Sequence, residues 1–376
     1  MLPAMKPADT DGERLARLRL IRSENVGPVN FMRLLARLGD AEAALEALPD
    51  IARRNGRRRL RVASVQQAER EVEGLRRIGG RLIMAGDPDY PARLAQAEGA
   101  PPVISVLGDA GLLERPTVAV VGARNCSANG RTLCRRIVGE LGAQGHVVIS
   151  GLARGIDAEA HRASLDTGTA AVVAGGVDIF YPPENEALQK EIAERGVVLA
   201  EQPLGAEPKA RHFPRRNRVI SGLSLGVLVV EAALRSGTLI TARYAGEQGR
   251  DVFAVPGSPL DPRARGANRL IREGARLVES ADDILEELAS GRTSLFQPVP
   301  ARFEGPAEDA GFALDPGDEA RSALIEALSP EPAEADVLMR ASGLGPSDFN
   351  ALIVELEIAG RVQRHAGNRY ALNHDG

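Results

Sequence analysis

At 376 residues the chain is too long for one compact domain, and its 44% hydrophobic and 26% charged residues exclude wholesale disorder. No apolar run approaches the roughly 18 residues of a membrane span, the first ten residues lack a signal peptide's apolar core, and Cys126 and Cys134 alone make neither a disulfide framework nor a four-ligand zinc site, so a cytoplasmic protein without membrane contact is expected. The net charge of −4 conceals an asymmetry: residues 10–80 and 112–280 carry +5 and +4, residues 281–376 carry −11, and 44 of the 47 basic residues are Arg, whose planar fork suits phosphate.

In chain order, residues 14–80 read as helical, with Leu15, Leu18 and Ile21, then Phe31, Leu34, Leu35 and Leu38, at helical spacing. Between the two sets Glu24-Asn25-Val26-Gly27-Pro28 is a tight break. This helix–Val-Gly-Pro–helix pattern resembles the helix-hairpin-helix family, whose turn amides can hold a phosphate; a plain helical turn is the alternative. The run Arg53-Arg54-Asn55-Gly56-Arg57-Arg58-Arg59 reads as a solvated loop, with phosphate contact second.

From residue 80 the texture changes. Arg81–Ala85 and Val103–Leu107 are short apolar runs bounded by Gly, Asp and Pro, the mark of strands. Six Val-rich strands follow at Thr117–Gly122, His146–Gly151, Ala170–Gly175, Gly196–Glu201, Leu225–Glu231 and Asp251–Pro256, separated by helix-length stretches at 128–144, 156–166, 185–195, 215–222 and 237–248. Continuous apolar strands alternating with helices imply a parallel sheet covered on both faces, hence a doubly wound, Rossmann-like α/β domain. Residues 291–317 are Pro- and Gly-rich without periodicity and read as a linker. Beyond it, helices at 318–328, 334–342 and 346–359, then a hairpin of Arg361–His365 and Arg369–Leu372 about the turn Ala366-Gly367-Asn368, give the order of a winged helix. The expected division is a helical domain over 1–80, the Rossmann-like domain over 81–290, the linker, and a winged helix over 318–376.

Doubly wound sheets hold ligands at the carboxyl ends of their strands. Four strand ends here suit an anion. Gly122 permits close backbone approach and Arg124 can grip a phosphate by both arms. Ser150-Gly151-Leu152-Ala153-Arg154-Gly155 sets two glycines and an Arg before a helix, with Asp157 in its first turn. Ser236-Gly237-Thr238, after Arg235, makes a third amide nest. The densest signal is Arg211-His212-Phe213-Pro214-Arg215-Arg216-Asn217-Arg218, with Lys209 beside it: Pro214 suits a helix start, so the cluster is expected to project from one helix onto the ligand face. No Walker A lysine and no GxGxxG follow the first Rossmann strand, so no nucleotide cofactor is expected. Asp157 and His161 have metal-ligand spacing without a third ligand, and a helical cap beside a packed or solvent-facing imidazole is the preferred reading. Glu201 and Glu231 each end a strand and are either general bases or loop caps. No catalytic residues and no metal are assigned.

The segments VAVVGARNCSANG (Val118–Gly130), SGLARGIDAEAH (Ser150–His161), FPRRNRVISGLS (Phe213–Ser224), VVEAALRSGTLITA (Val229–Ala242) and VFAVPG (Val252–Gly257) resemble, in order and spacing, the DNA-processing protein A (DprA/Smf) family. Flanking support comes from Tyr90-Pro91, PPVISVLGD and GANRLIREGA, so the likeness is specific over 85–280 and looser at both ends. The resemblance implies a non-enzymatic, homodimeric protein that binds single-stranded DNA and loads a RecA-type recombinase during natural transformation. By motif it makes Arg124 a principal DNA contact, Ser150, Gly151 and Arg154 neighbouring phosphate-loop residues, and Arg215, Arg216 and Arg218 an extension of the basic channel. With aromatics at 3%, Arg stacking and phosphate contact are expected to dominate. The competing reading is a phosphoribohydrolase-type enzyme using the Ser236-Gly237-Thr238 nest beside Glu231. The winged helix, with 5 Arg against 10 acids, departs from a duplex binder, although Arg361, Arg364 and Arg369 on its wing leave room for a local contact, and a protein-docking or regulatory role is expected for it.

Overall fold

The computed structural model describes residues 5, 7–8, 10–55, 60–290, 317–365 and 367–373. The Gly56–Arg59 part of the basic run, the expected linker up to residue 316 and Ala366 of the wing turn lie outside them. The chain divides into two compact units, 1–69 with 301–376 and 70–300.

The first unit starts with α1 (Asp11–Arg22), α2 (Pro28–Leu38) and α3 (Ala41–Arg54). Their starts follow from local chemistry: the Thr10 hydroxyl accepts from the Glu13 amide, Pro28 opens α2, and Asp40 accepts from the Ala43 amide. The Val-Gly-Pro break is the α1–α2 turn, where Asn25 takes a left-handed φ of +61°. Helix α4 (Val65–Arg77) leads into the second unit, whose core receives Leu75.

The second unit is a nine-stranded sheet: β1 (Gly80–Met84), then α5 (Ala92–Ala95), β2 (Val103–Gly108), β3 (Thr117–Gly122), α6 (Ala128–Ala143), β4 (Val147–Ser150), α7 (Ile156–Ser164), β5 (Thr169–Val173), α8 (Glu186–Arg195), β6 (Val197–Ala200), α9 (His212–Leu223), β7 (Gly226–Val230), α10 (Thr238–Glu247), β8 (Asp251–Ala254), α11 (Arg265–Arg272), β9 (Arg276–Leu277) and α12 (Ala281–Ser290). Strand order is β1-β2-β6-β5-β4-β3-β7-β8-β9; β6 through β9 run parallel, while β2 and β1 extend the β6 side antiparallel. The expected Rossmann-like sheet is present, with β9, α11 and α12 as additions. Its strands are apolar throughout because both faces are covered: Ala119, Val121, Val227 and Val229 face one core layer, Val118, Val120, Leu228 and Val230 the other. The winding reverses between β3 and β7, and the crevice opens at their carboxyl ends.

The first unit is completed by α13 (Gly317–Ala327), β10 (Ala333–Glu334), α14 (Ala335–Ser342), α15 (Pro346–Ile358) and the β11 (Val362–His365)–β12 (Arg369–Leu372) hairpin, with β12 between β10 and β11. This is a winged helix around Leu324, Leu338, Phe349, Leu352, Leu356 and Tyr370.

Candidate nucleic-acid interface

The site lies where β3, β4 and β5 end and α9 begins. After β4 the chain must double back, and it does so with Leu152 at φ +55° and Gly155 at φ +74°. A side chain at 155 would strike the Ala123 carbonyl oxygen at 2.2 Å, so only glycine lets this loop lie on the one carrying Arg124. The Ile156 amide seals the junction by donating to the Ala123 carbonyl (3.2 Å).

Helix α9 starts three residues before the predicted start, at His212, with Pro214 in its first turn. Its register splits the Arg cluster. Arg211 and Arg215 point outward, whereas Arg216 shares the buried stripe of Val219, Ile220 and Leu223 and is 7% exposed. The Arg216 guanidinium lies against Gly151, where a Cβ would sit 1.3 Å from Nη1. Its Nη1 is 4.0 Å from Asp157 Oδ2, and its buried Nε has no hydrogen-bond partner. Burial raises the Asp157 carboxyl above the usual carboxylate range against the pull of Arg216, and the Ala153 amide donates to it (3.3 Å). Burial also works against the charge on Arg216, Asp157 supports it, and Arg124 adds a second cation nearby.

Over the corner lies an aromatic pair that the composition did not lead us to expect. Phe213 meets Tyr181 edge-on, with centroids 5.7 Å apart, and Tyr181 is 47% exposed. The Arg124 and Arg216 guanidinium carbons each lie 5.9 Å from the Phe213 ring. Beside the arginines expected to stack and to meet phosphate, the structure adds a ring pair whose tyrosine is exposed. Phe213 was in view within the basic run, but Tyr181 arrives from the loop after β5, 32 residues earlier, and no local pattern links the two.

The remaining predicted residues have different fates. Gly122 and Gly151 are buried, and a Cβ on Gly122 would fall 2.0 Å from the Val230 carbonyl oxygen. The Ser150 hydroxyl is buried and donates to the Val120 carbonyl (2.6 Å), so its side chain faces the sheet. Arg154 is exposed and pairs with Glu184 at 2.5 Å. Lys209 is exposed and part of the basic approach: with Arg211 and Arg215 it surrounds His212, which burial and these cations hold below the usual imidazole range. Asn217 is half-buried on α9. Arg218 turns away from the corner to Glu201 (3.3 Å) and lies against Gly99.

At the β3–β7 crevice the Ser236 and Thr238 hydroxyls bond each other (2.9 Å), and Thr238 donates to the Gly122 carbonyl (3.1 Å). Glu231 takes φ +57° and swings onto the start of α6, accepting from the Ser127 amide (2.8 Å) and the Ser127 hydroxyl. A Cβ on Gly130 would lie 2.7 Å from that carboxyl carbon. Glu231 thus makes the hydrogen bonds of a loop cap. His161 is fully buried, its Nδ1 2.8 Å from the Thr169 hydroxyl, while Asp157 faces the β4–α7 loop. Cys134 is a core residue, and Cys126 accepts from Arg131 Nε (3.4 Å). Among the described residues no helix is long and apolar enough to cross a membrane, and no three His, Cys, Asp or Glu converge to hold a metal ion.

Three family models match in succession: a DprA-like N-terminal HHH domain over 11–74, DNA recombination-mediator protein A over 81–289, and a DprA winged helix domain over 308–368. The chain is 36% identical over 319 residues to Protein Smf of Synechocystis, covering 77% of this chain and 79% of that one. It is 47% identical over 203 residues to the DNA processing protein DprA of Streptococcus pneumoniae, covering 54% and 72%. The X-ray structure of DprA from Streptococcus pneumoniae superposes with a TM-score of 0.61 at 36% identity, covering 75% of this chain and 99% of that one. A DprA structure from Helicobacter pylori, described for its single-stranded DNA binding mode, gives a TM-score of 0.52 at 26% identity, covering 56% and 96%. With three models matched in order and relatives alike over most of their own length, the chain belongs to the DNA-processing protein A (DprA/Smf) family.

Proposed function

We propose that this protein binds single-stranded DNA across the corner formed by Arg124, the Gly151–Gly155 loop and the start of α9, and acts without catalysing a reaction. The observation that carries this reading is the Tyr181–Phe213 pair, its tyrosine exposed, beside Arg124 and the buried Arg216. Aromatic faces take unstacked bases, guanidiniums and amides take phosphates, and the combination tracks a strand without reading its sequence. A duplex offers phosphates but keeps its bases stacked on one another, so it engages only half of the site. The Gly122, Gly237 and Thr238 backbone belongs to the rim of the same face. The Helicobacter pylori relative described for single-stranded DNA binding supports the choice of ligand.

The wider reading is a recombination mediator that protects incoming strands and passes them to a RecA-type recombinase as a cytoplasmic homodimer. A nucleotide-cleaving enzyme is disfavoured, since Glu231 is bound to Ser127 and the Ser236–Thr238 hydroxyls are internally spent. The test is affinity for single- and double-stranded oligonucleotides across a salt series, with and without Arg124→Ala. Single strands should bind tighter, with log affinity falling against log salt by about 0.7 for each phosphate neutralised. Arg124→Ala should fold normally and bind about tenfold or more weakly. Unchanged binding by this variant, or release of a free base from a nucleotide by the unsubstituted protein, would overturn the reading.

A further inference from the structure

Helix α15 is the second helix of a helix-turn-helix, α14–Gly343-Leu344-Gly345–α15, and stands where such proteins carry the helix that enters the DNA major groove. A groove-reading helix keeps one face polar and open. This one does not. From Phe349 to Ala359 only Asn350 and Glu357 are more than marginally exposed. One face, Phe349, Leu352, Ile353 and Leu356, belongs to the winged-helix core. The opposite face, Val354 and Ile358, is buried in the core of α1–α3 with Leu20, Phe31, Leu34 and Leu48. A helix apolar all round is a buried helix.

Polar contacts follow the same division. Glu355, 2% exposed in its side chain, accepts from Arg37 of α2 (3.0 Å), Asn55 after α3 (3.3 Å) and Arg321 of α13 (3.1 Å). Asn25, in the hairpin turn of the helical part, donates to the carbonyl of Ile358 (3.0 Å), and Arg33 reaches Asn350 (3.4 Å). Apolar burial supplies attraction without direction, whereas a buried carboxylate with three donors tolerates only one arrangement.

We propose that α15 is an intramolecular docking helix: the winged helix binds the chain's own N-terminal helices through the face that would otherwise meet DNA. The occupant is the α1–α3 bundle, and the two ends of the chain close into one module whose nucleic-acid-type elements cover each other. This role is independent of the single-strand site and stands whether or not that site binds DNA.

The experiment uses the full chain with a protease site inserted between Pro300 and Ala301. After cleavage, the 301–376 piece should co-elute with the remainder on gel filtration. Val354→Asp, on the docking face only, should weaken retention by roughly a hundredfold and speed amide exchange across residues 28–54 while the β11–β12 hairpin stays protected. Arg37→Ala leaves the winged-helix sequence intact and should weaken retention by roughly tenfold, so the idea remains testable if Val354→Asp misfolds. Separation of the piece from the unsubstituted chain, or full retention in both variants, would sink the proposal.

Discussion

Among the described residues, two clusters bury an arginine together with its carboxylate, with opposite outcomes. Around Glu355 one carboxylate receives two guanidiniums and an amide, each at ordinary hydrogen-bond distance. Around Asp157 the nearest guanidinium, Arg216, stands off at 4.0 Å with an unpartnered Nε, and an exposed Arg124 lies close by. The first cluster meets its carboxylate at hydrogen-bond distance from three sides and reads as a bolt, with Arg321 Nε and Asn55 Oδ1 left over. The second is looser in geometry and opens toward two aromatic rings. Counting arginines does not separate these roles; the distance from guanidinium to carboxylate does.

The largest effect expected from this contrast is at the bolt. Glu355→Ala should cost the 1–69/301–376 unit about 3–5 kcal/mol, because Arg37 and Arg321 lose their buried partner. Replacing all three by Met or Leu should recover most of it, and a thermal scan of each variant decides. At the open cluster, Gly151→Ala should cost about 1–3 kcal/mol in a denaturant melt, since the new methyl must displace the Arg216 guanidinium. Oligonucleotide affinity should fall with it. Phe213→Ala should lower single-strand affinity by about 1–3 kcal/mol per stacked base, Tyr181→Ala by less, while duplex affinity changes little. A fluorescence titration showing equal losses for both ligands would erase the distinction.

Beneath the open cluster, burial and the cations Arg216 and Arg162 hold His161 down to about 3, against about 6.5 in the unfolded chain. Between those values the unfolded chain binds a proton that the native imidazole refuses. Stability should therefore be lost as pH falls through this window, by about 1.4 kcal/mol per pH unit. The raised Asp157 carboxyl acts in the opposite sense, so the slope is best taken as the difference from His161→Gln, by melts between pH 7 and pH 5. The smallest effect belongs to the surface. Glu184→Gln should alter stability by about 0.5 kcal/mol or less, yet raise single-strand affinity about twofold to threefold by releasing Arg154.

Much of this was visible in the residues alone, and the exceptions have physical causes. The Rossmann strands were legible because a sheet covered on both faces needs uninterrupted apolar runs. Helix α11 was missed because GANRLIREG is mostly polar, and β9 because two residues carry no pattern. Arg216 was read as projecting outward, although Val219, Ile220 and Leu223 at three, four and seven residues further put it on the buried stripe; that signal was available. The burial of α15 was also there, in Val354 and Ile358 beside Leu352 and Leu356. The Tyr181–Phe213 pairing was not, since it depends on how two long loops fold back.

The carboxylate of Glu231 has one more consequence. In doubly wound proteins the start of the helix after the first central strand is the customary berth for a cofactor's diphosphate. Here that berth is moored from within, by an anion tethered to the same chain and thus present at an effective concentration on the order of millimolar or above. A dissolved nucleotide arrives as the weaker competitor for a vessel's place already taken.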